Sequence, residues 1–371
     1  CFGLLWACLP LAHAEQVANI YTSKILVANQ SAETRQQATK KALEQVLVRA
    51  TGLLASAKDP RLVPILSNAD AYVESFLYEN SEELIQYRKQ AVQASSLVLN
   101  FSKPVLEKLL SDYGLPVWPA NRPSILVWMV QDSRSGRVIP ALNKGSALGA
   151  SVEKAGSVYG LPLVLPVMDL QDQRSINSDN LWQVNLSKIS QASLRYQVDS
   201  VVVVRYSQTS SGEWLASWTL LHKGQQTVFD SRGKTQSEFI DNGFSEIMSH
   251  IASLYSIVND GVSGSAVSMT VNGIDAFDDY MSVINYLTDL AIVEDAVVVS
   301  VVADTMKLEV YIDGDLSLLL GALALDRKLE DIKTIAIDYD SNTDPSTTKP
   351  LPQGVLAPRG SVMNPLRFTW P

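Results

Sequence analysis

Apolar residues in this chain recur with periods near four and near two, and the two periods divide it into elements. Residues 17–29, VANIYTSKILVAN, predict a strand. Ser31 then caps a helix that ends near Gly52. Within it Ala38, Ala42, Val46 and Ala50 recur every four residues, while Arg35, Lys40, Lys41 and Glu44 lie elsewhere on the cylinder. Strand-like segments follow at 83–90 and 94–102; in the second, Leu97, Leu99 and Phe101 alternate with Ser96, Val98 and Asn100. Lys103-Pro104 opens a short helix that Gly114 stops, and the proline-punctuated segment 116–123 reads as a linker.

Beyond it, SILVWMV (124–130) and LPLVLPV (161–167) predict buried strands, separated by a helix at 146–159 that aligns Leu148, Val152, Ala155 and Tyr159. A helix over 185–196 leads to the strand 199–207, then to a tryptophan-bearing strand and a polar one. A long helix aligns Ile240, Phe244, Ile247, Ile251 and Leu254. The third stretch reads strand, helix (Phe277, Tyr280, Ile284 and Leu287 inward), a hairpin around Ala303-Asp304-Thr305, a helix, and a last strand at 334–340. In the hairpin Leu308, Val310 and Ile312 face one way, and Lys307, Glu309 and Tyr311 the other.

These patterns predict an α+β protein of several small α/β modules. An N-terminal α+β domain occupies 15–120, a mixed-sheet domain 123–258, and a ferredoxin-like βαββαβ domain 264–340. Residues 341–371 are rich in proline and read as a tail without its own core, with Phe368 and Trp370 available to dock.

Residues 1–14 carry no acidic or basic side chain and end in Ala12-His13-Ala14, which reads as the remnant of a cleavable secretory signal. That predicts export, and the expected compartment is the periplasm. The run is too short to span a bilayer, and no other stretch is long enough. Both cysteines, Cys1 and Cys8, fall in it, so the mature chain would hold neither a disulfide nor a zinc-thiolate site. Leu5-Trp6-Ala7-Cys8 only loosely matches a lipidation box, because Trp6 is bulky where a small residue belongs. The 371 residues are 46% hydrophobic and 19% charged, an ordinary globular balance, with a net charge of −9. An acidic balance offers no footprint for nucleic acid.

Chemistry is sparse. His222 and His250 have no His or Cys at ligand spacing, so no metal or cofactor is expected. Ser151-Val152-Glu153-Lys154, Ser178-Asp179-Asn180 and Lys234-Thr235 mimic a penicillin-binding motif set. The third motif lacks its glycine and Ser151 falls mid-helix, so the mimicry fails. Asp338, Asp340, Asn342 and Asp344 alternate like a calcium loop, but Thr343 and Lys349 stand where Gly and Glu are required. Asp169 and Asp172 follow a predicted strand, where open α/β sheets place ligands. With Trp182 and Arg195 they form the candidate binding site. A concave pocket lined by these four would favour a small ligand such as a glycan or peptide; a filled surface would favour protein contact. Arg49, Arg122 and Arg195 are expected to bury their stems with their heads paired, as structural anchors.

Several segments in order resemble the DUF2066 family of Gram-negative bacteria. They are the run from Ala42 to Gly52 (ALEQVLVRATG), Leu115-Pro116-Val117-Trp118, Arg122-Pro123 with Val127-Trp128, Gly160 through Pro166 with Asp169, Ala192 to Tyr196, and the Trp214/Trp218 strand. Tyr159 departs from the pattern, standing where an arginine is common. The resemblance implies a secreted envelope protein. The order of elements is also similar to periplasmic flagellar and curli assembly factors and to the N-terminal domain of TolB, which act through protein contacts. The resulting expectation is a non-enzymatic envelope assembly or interaction factor with envelope proteins as partners, and the alternative is a small-ligand binding module.

Overall fold

Ser31 and Gly52 bound the first long helix as their chemistry dictates. The Ser31 hydroxyl accepts from the Thr34 amide, and Gly52 takes the left-handed conformation (φ 67°) that ends the helix. A Cβ at Gly52 would sit 2.0 Å from that of Ala252, so the glycine also permits close packing. The molecule is known from a computed structural model that describes residues 20–54, 59–143, 145–257, 265–332 and 358–371. The apolar opening run with Cys1, Cys8 and His13, the strand expected at 334–340 and the carboxylates at 338–344 lie outside the described residues. The chain divides into two units, 1–256 and 257–371.

The first unit begins with β1 (Thr22–Val27), α1 (Ala32–Thr51), α2 (Val63–Ser67), β2 (Val73–Tyr87), β3 (Gln90–Phe101) and α3 (Lys103–Asp112). The strands form an antiparallel sheet in the order β1-β3-β2. One face packs on α1, where Leu43, Val46 and Leu47 meet Leu97, Leu99 and Phe101 in a shared core. Arg88 and Lys89 both have positive φ and make the two-residue turn of the hairpin.

The same unit continues with β4 (Ile125–Ser133), β5 (Gly136–Val138), α4 (Ala147–Tyr159) and β6 (Leu163–Val164). Three short helices follow, α5 (Leu170–Ser175), α6 (Ser178–Trp182) and α7 (Leu186–Ser193), then β7 (Ser200–Gln208), β8 (Trp214–His222), β9 (Gln225–Gly233) and α8 (Gln236–Tyr255). The sheet order is β5-β4-β7-β8-β9, with β6 also on β4; β4, β6 and β7 run parallel and the other neighbours antiparallel. The sheet is therefore mixed, as expected. Only two residues of the strand expected at 161–167 pair, because Pro162 and Pro166 have no amide to donate.

The registers sort the sheet into two faces. Leu126, Trp128 and Val130 of β4 share one face with Val201, Val203 and Arg205 of β7. The short helices cover that face over β4 and β7, through Ile176, Leu181, Ile189 and Ala192. The opposite face holds Trp218, which meets Phe244 of α8 edge-on.

The regions expected as separate domains at 15–120 and 123–258 are one compact unit. The segment 116–123 is not a free linker: Trp118 and Arg122 are fully buried. Proline punctuation set its extended path, and burial of these two side chains fixes it. The Arg122 guanidinium donates to five carbonyl oxygens: Pro119 (3.0 Å), Tyr159 (3.2 Å), Gly160 (2.8 Å), Arg49 (2.6 Å) and Trp118 (3.3 Å). It also lies 3.7 Å from the Trp118 ring centroid. Arg49 and Tyr159 belong to the last turns of α1 and α4, whose unpaired carbonyls and negative dipole ends attract a cation. Gly160 (φ 63°) is required beside it, since a Cβ there would lie 2.4 Å from Arg122 Nη1. Arg49 itself donates to Thr22 O (2.6 Å) and Ser157 O (3.3 Å). Burial lowers the Arg122 pKa to about 9, which leaves it cationic at neutral pH.

The second unit holds β10 (Ser265–Asn272), α9 (Phe277–Thr288), β11 (Val293–Val302), β12 (Thr305–Ile312), α10 (Leu316–Asp326), β13 (Glu330–Asp331) and β14 (Leu366–Thr369). The order β11-β12-β10 is that of a ferredoxin-like βαββαβ unit. The place beside β10 is filled by β14, which runs parallel to it, with β13 beyond. The last residues are thus no coreless tail: Leu366 and Phe368 are buried with Met269, Val271 and Leu308, and Trp370 packs against this core. Alternation over only four residues, after a long proline-rich stretch, hid this strand. In α9 the buried stripe is Val283, Tyr286 and Leu287, while Phe277 at the helix start is exposed.

Replacing the fully buried Arg122 by Met strips five carbonyls of their donor. The expected loss is about 3–5 kcal/mol, with Arg122→Lys recovering part of it. Urea unfolding followed by tryptophan fluorescence measures this, and an unchanged midpoint for Arg122→Met would contradict it.

Candidate functional site

Asp169, Asp172 and Arg195 come together where β6 passes into α5. Asp169 caps α5, its side chain accepting from the amides of Gln171 and Asp172, both at 3.0 Å. Arg195 grips it with two hydrogen bonds, Nη1 to Oδ1 at 2.7 Å and Nη2 to Oδ2 at 2.9 Å. Arg195 Nη1 also reaches Asp172 Oδ1 at 3.0 Å. Asp172 is fully buried, and its Oδ2 accepts from the Met168 amide (2.8 Å) and the Tyr196 hydroxyl (2.5 Å).

The electrostatics follow from this geometry. Hydrogen bonds from Arg195, then from backbone amides, hold the Asp169 carboxyl well below the usual carboxylate range. The same pairing with Asp169 holds Arg195 above its ordinary value. Burial, and next the bond to Asp172, push the Tyr196 phenol up to about 12. The Asp169 carboxylate therefore stays ionised and the Tyr196 phenol protonated at neutral pH, and the bonding capacity of the group is spent inside the cluster. Met168 takes a positive φ (57°) in the turn that the Asp172 bond closes. The arrangement locks a strand-to-helix connection rather than presenting open ligands.

Trp182, the fourth expected residue, stands apart from this network. It closes α6, with the Arg137 guanidinium over its ring at 4.8 Å from the centroid. Arg137 is itself paired to Asp179 at 3.1 Å. Trp182 borders a groove of about 440 Å³ on the sheet face that the short helices leave open over β8 and β9. Its other walls include Arg205, Ser217, Leu215, Asp230 and Arg232. Arg205 donates to Trp182 O (3.3 Å) and Ser217 Oγ (3.2 Å). The pocket expected from all four residues is thus not what the geometry assembles. Three of them fill one another's valences, and one borders a different concavity.

The sequence carried a faint signal for this groove. By strict alternation Val201, Val203 and Arg205 share a face, so a lone cation interrupts an otherwise apolar run. Arg232 gave no such signal, because the polarity of β9 is that of any exposed edge strand.

The histidines have structural partners. His222 is buried, with Nδ1 2.7 Å from Ser200 Oγ and Nε2 2.8 Å from the Tyr255 hydroxyl. Burial, and then Lys223, lower its pKa, so the ring is neutral at neutral pH. His250 packs edge-on against Phe229. Ser151 donates to Ala147 O within α4, as a helical serine with no nucleophilic role does. Among the described residues no group of three or more His, Cys, Asp or Glu gathers to hold a metal. Among them, too, no helix is long and apolar enough to cross a membrane.

Comparison with known proteins adds one family. Residues 14–119 match a domain of unknown function, DUF8605. This corrects the expected DUF2066 resemblance: the matching family is a different one and covers only the first part of the chain. The motifs quoted for DUF2066 are short, mostly apolar or helix-ending, and such patterns recur wherever a capped helix packs on a sheet. No curated protein matches the chain. Among solved structures, the C-terminal domain of LpoB from Salmonella enterica is 11% identical over 36% of this chain and 94% of its own, with a TM-score of 0.21. A crystal structure of an uncharacterized protein is 14% identical over 36% of this chain and 91% of its own, with a TM-score of 0.16. Similarities this slight support no argument about fold or function.

Asp172→Ala leaves the Met168 amide and the Tyr196 hydroxyl without their buried acceptor. The expected cost is about 3 kcal/mol, read as a lowered thermal midpoint. An unchanged midpoint would mean that the cluster does not serve the fold.

Proposed function

We propose that the chain is a non-enzymatic interaction factor of the bacterial envelope, working in the periplasm through a projecting β-ribbon in its first unit. The observation that carries this reading is the length of β2 and β3 against the shortness of β1. Strand β1 pairs with β3 only over Ser95–Asn100, whereas β2 and β3 pair onward from Asn80↔Ser95 to Tyr87↔Gln90. Beyond β1 the hairpin is a two-stranded ribbon, a form with little stability of its own in water. It carries Leu84 at 69% exposure, and nearer its base Phe76 and Leu77 are each 47% exposed. Strand β2 is an outer strand of its sheet, so its far edge offers amides and carbonyls to another chain. Glu74, Glu79, Glu82 and Glu83 lie along the same strand, and Glu79 is already paired with Lys24.

An apolar, acidic, open strand edge suits an extended partner segment that alternates apolar and basic side chains. The filled valences of the Asp169, Asp172 and Arg195 cluster speak against catalysis at that place and support a reading in which function lies on another surface. The apolar opening run ending in Ala12-His13-Ala14 supports export.

A photo-reactive amino acid at position 84 tests this in living cells, with exposed Lys40 of α1 as the control position. The expected result is a discrete cross-linked species from position 84 that is absent from position 40 and is lost when Glu82 and Glu83 are changed to Lys. No species from position 84, or the same species from both positions, would overturn the reading.

A further inference from the structure

The groove beside Trp182 lies on a different part of the first unit from the ribbon and shares no residue with it. Its floor is made by two rows of side chains that run across the strands. Arg205, Ser217 and Asp230 are successive cross-strand neighbours on β7, β8 and β9, and Ser207, Leu215 and Arg232 form the next row. Trp182 stands over the near end, where the layer of short helices stops.

Three features set this concavity apart from an ordinary patch of open sheet. First, Arg205 is half-buried, yet among the described residues no carboxylate lies within ion-pair distance of it. Its partners are one carbonyl and one hydroxyl, and its buried Nε has none. A guanidinium that has lost much of its water without gaining an anion is poised to gain from one. Second, exposed Arg232 adds a further cation on the same wall, and its guanidinium likewise has no carboxylate within ion-pair distance among the described residues. Third, Trp182 is held in place by Arg137 stacked over it, so an indole is fixed at the rim before anything binds.

We propose that this groove binds an acidic saccharide, a pyranose ring bearing a carboxylate. The carboxylate pairs with Arg205 and Arg232, the apolar C–H face of the ring lies against Trp182, and Asp230 with the hydroxyls of Ser207 and Ser217 meets the sugar hydroxyls. A neutral sugar would leave both guanidinium groups unpaired. A densely phosphorylated ligand would be repelled by Asp230, whereas a sugar hydroxyl donates to it. A cavity of about 440 Å³ falls within the range of small-ligand sites, roughly 300–1,000 Å³.

The test is isothermal titration calorimetry on the full chain, with trigalacturonate as the probe and maltotriose and N-acetyl-triglutamate as comparators. Trigalacturonate is expected to bind at least about tenfold more tightly than either comparator, and more weakly as salt is raised. Arg205→Gln and, separately, Arg232→Gln are expected to weaken trigalacturonate about tenfold or more. Because Arg232 is exposed, its replacement leaves the fold intact and keeps the test decisive should Arg205→Gln lower stability. Equal affinity for maltotriose, preference for the glutamate peptide, no binding of trigalacturonate, or full affinity in Arg232→Gln would each overturn the proposal. None of these outcomes bears on the ribbon, whose test reads a different face.

Discussion

A single buried cation organises the first unit. Arg122 reaches the carbonyl ends of α1 and α4 and the turn that it belongs to, and among the described residues it pairs with no carboxylate. The arrangement answers a general problem of helical proteins: the last turns of a helix leave carbonyls without donors, and two such ends buried side by side would be costly. One guanidinium supplies donors to both, and the two dipole ends offset part of its own loss of water. Gly160 and Trp118 then follow as necessities, the first giving room and the second a flat face for the guanidinium to lie on. Arg49 repeats the device in part, donating to Ser157 O in the last turn of α4 and to Thr22 O at the start of β1.

This bond set decides what the rest of the unit can do. It ties α1, which packs on the three-stranded sheet, to the end of α4, so surfaces on both parts are presented by one scaffold. The hairpin of β2 and β3 can outrun its neighbour because its base is anchored on α1 through a continuous core. One face of the mixed sheet packs against α8, where Trp218 meets Phe244, and the other is covered only in part by the short helices. That uneven cover leaves the groove at Trp182. The Asp169, Asp172 and Arg195 network pins the start of α5 in the same helical layer, closing a turn rather than presenting open ligands.

Much of this was legible in the residues. Ser31 and Gly52 marked the ends of α1 through local chemistry, and the alternation in β3 and β12 named their inner faces correctly. What escaped depends on contacts distant in sequence. Prolines around Trp118 and Arg122 gave the appearance of a linker, because nothing local says that carbonyls more than thirty residues away will converge there. Strand β14 is too short for its alternation to register, and it owes its place to a vacancy beside β10. Three of the four candidate residues, Asp169, Asp172 and Arg195, meet in the structure and Trp182 does not join them; a carboxylate pair near an arginine reads alike in sequence whether it awaits a ligand or closes a turn. Arg205 was readable as an exception to a valine run, and its unpaired state was not.

The view that residues 20–256 form one cooperative body is tested most directly by native-state hydrogen exchange of the full chain. Peptides covering residues 42–50 of α1 and 200–206 of β7 are the ones to compare. One shared opening free energy and a common denaturant dependence are predicted for the two. Opening of α1 at a distinctly lower free energy, with β7 still protected, would contradict the account.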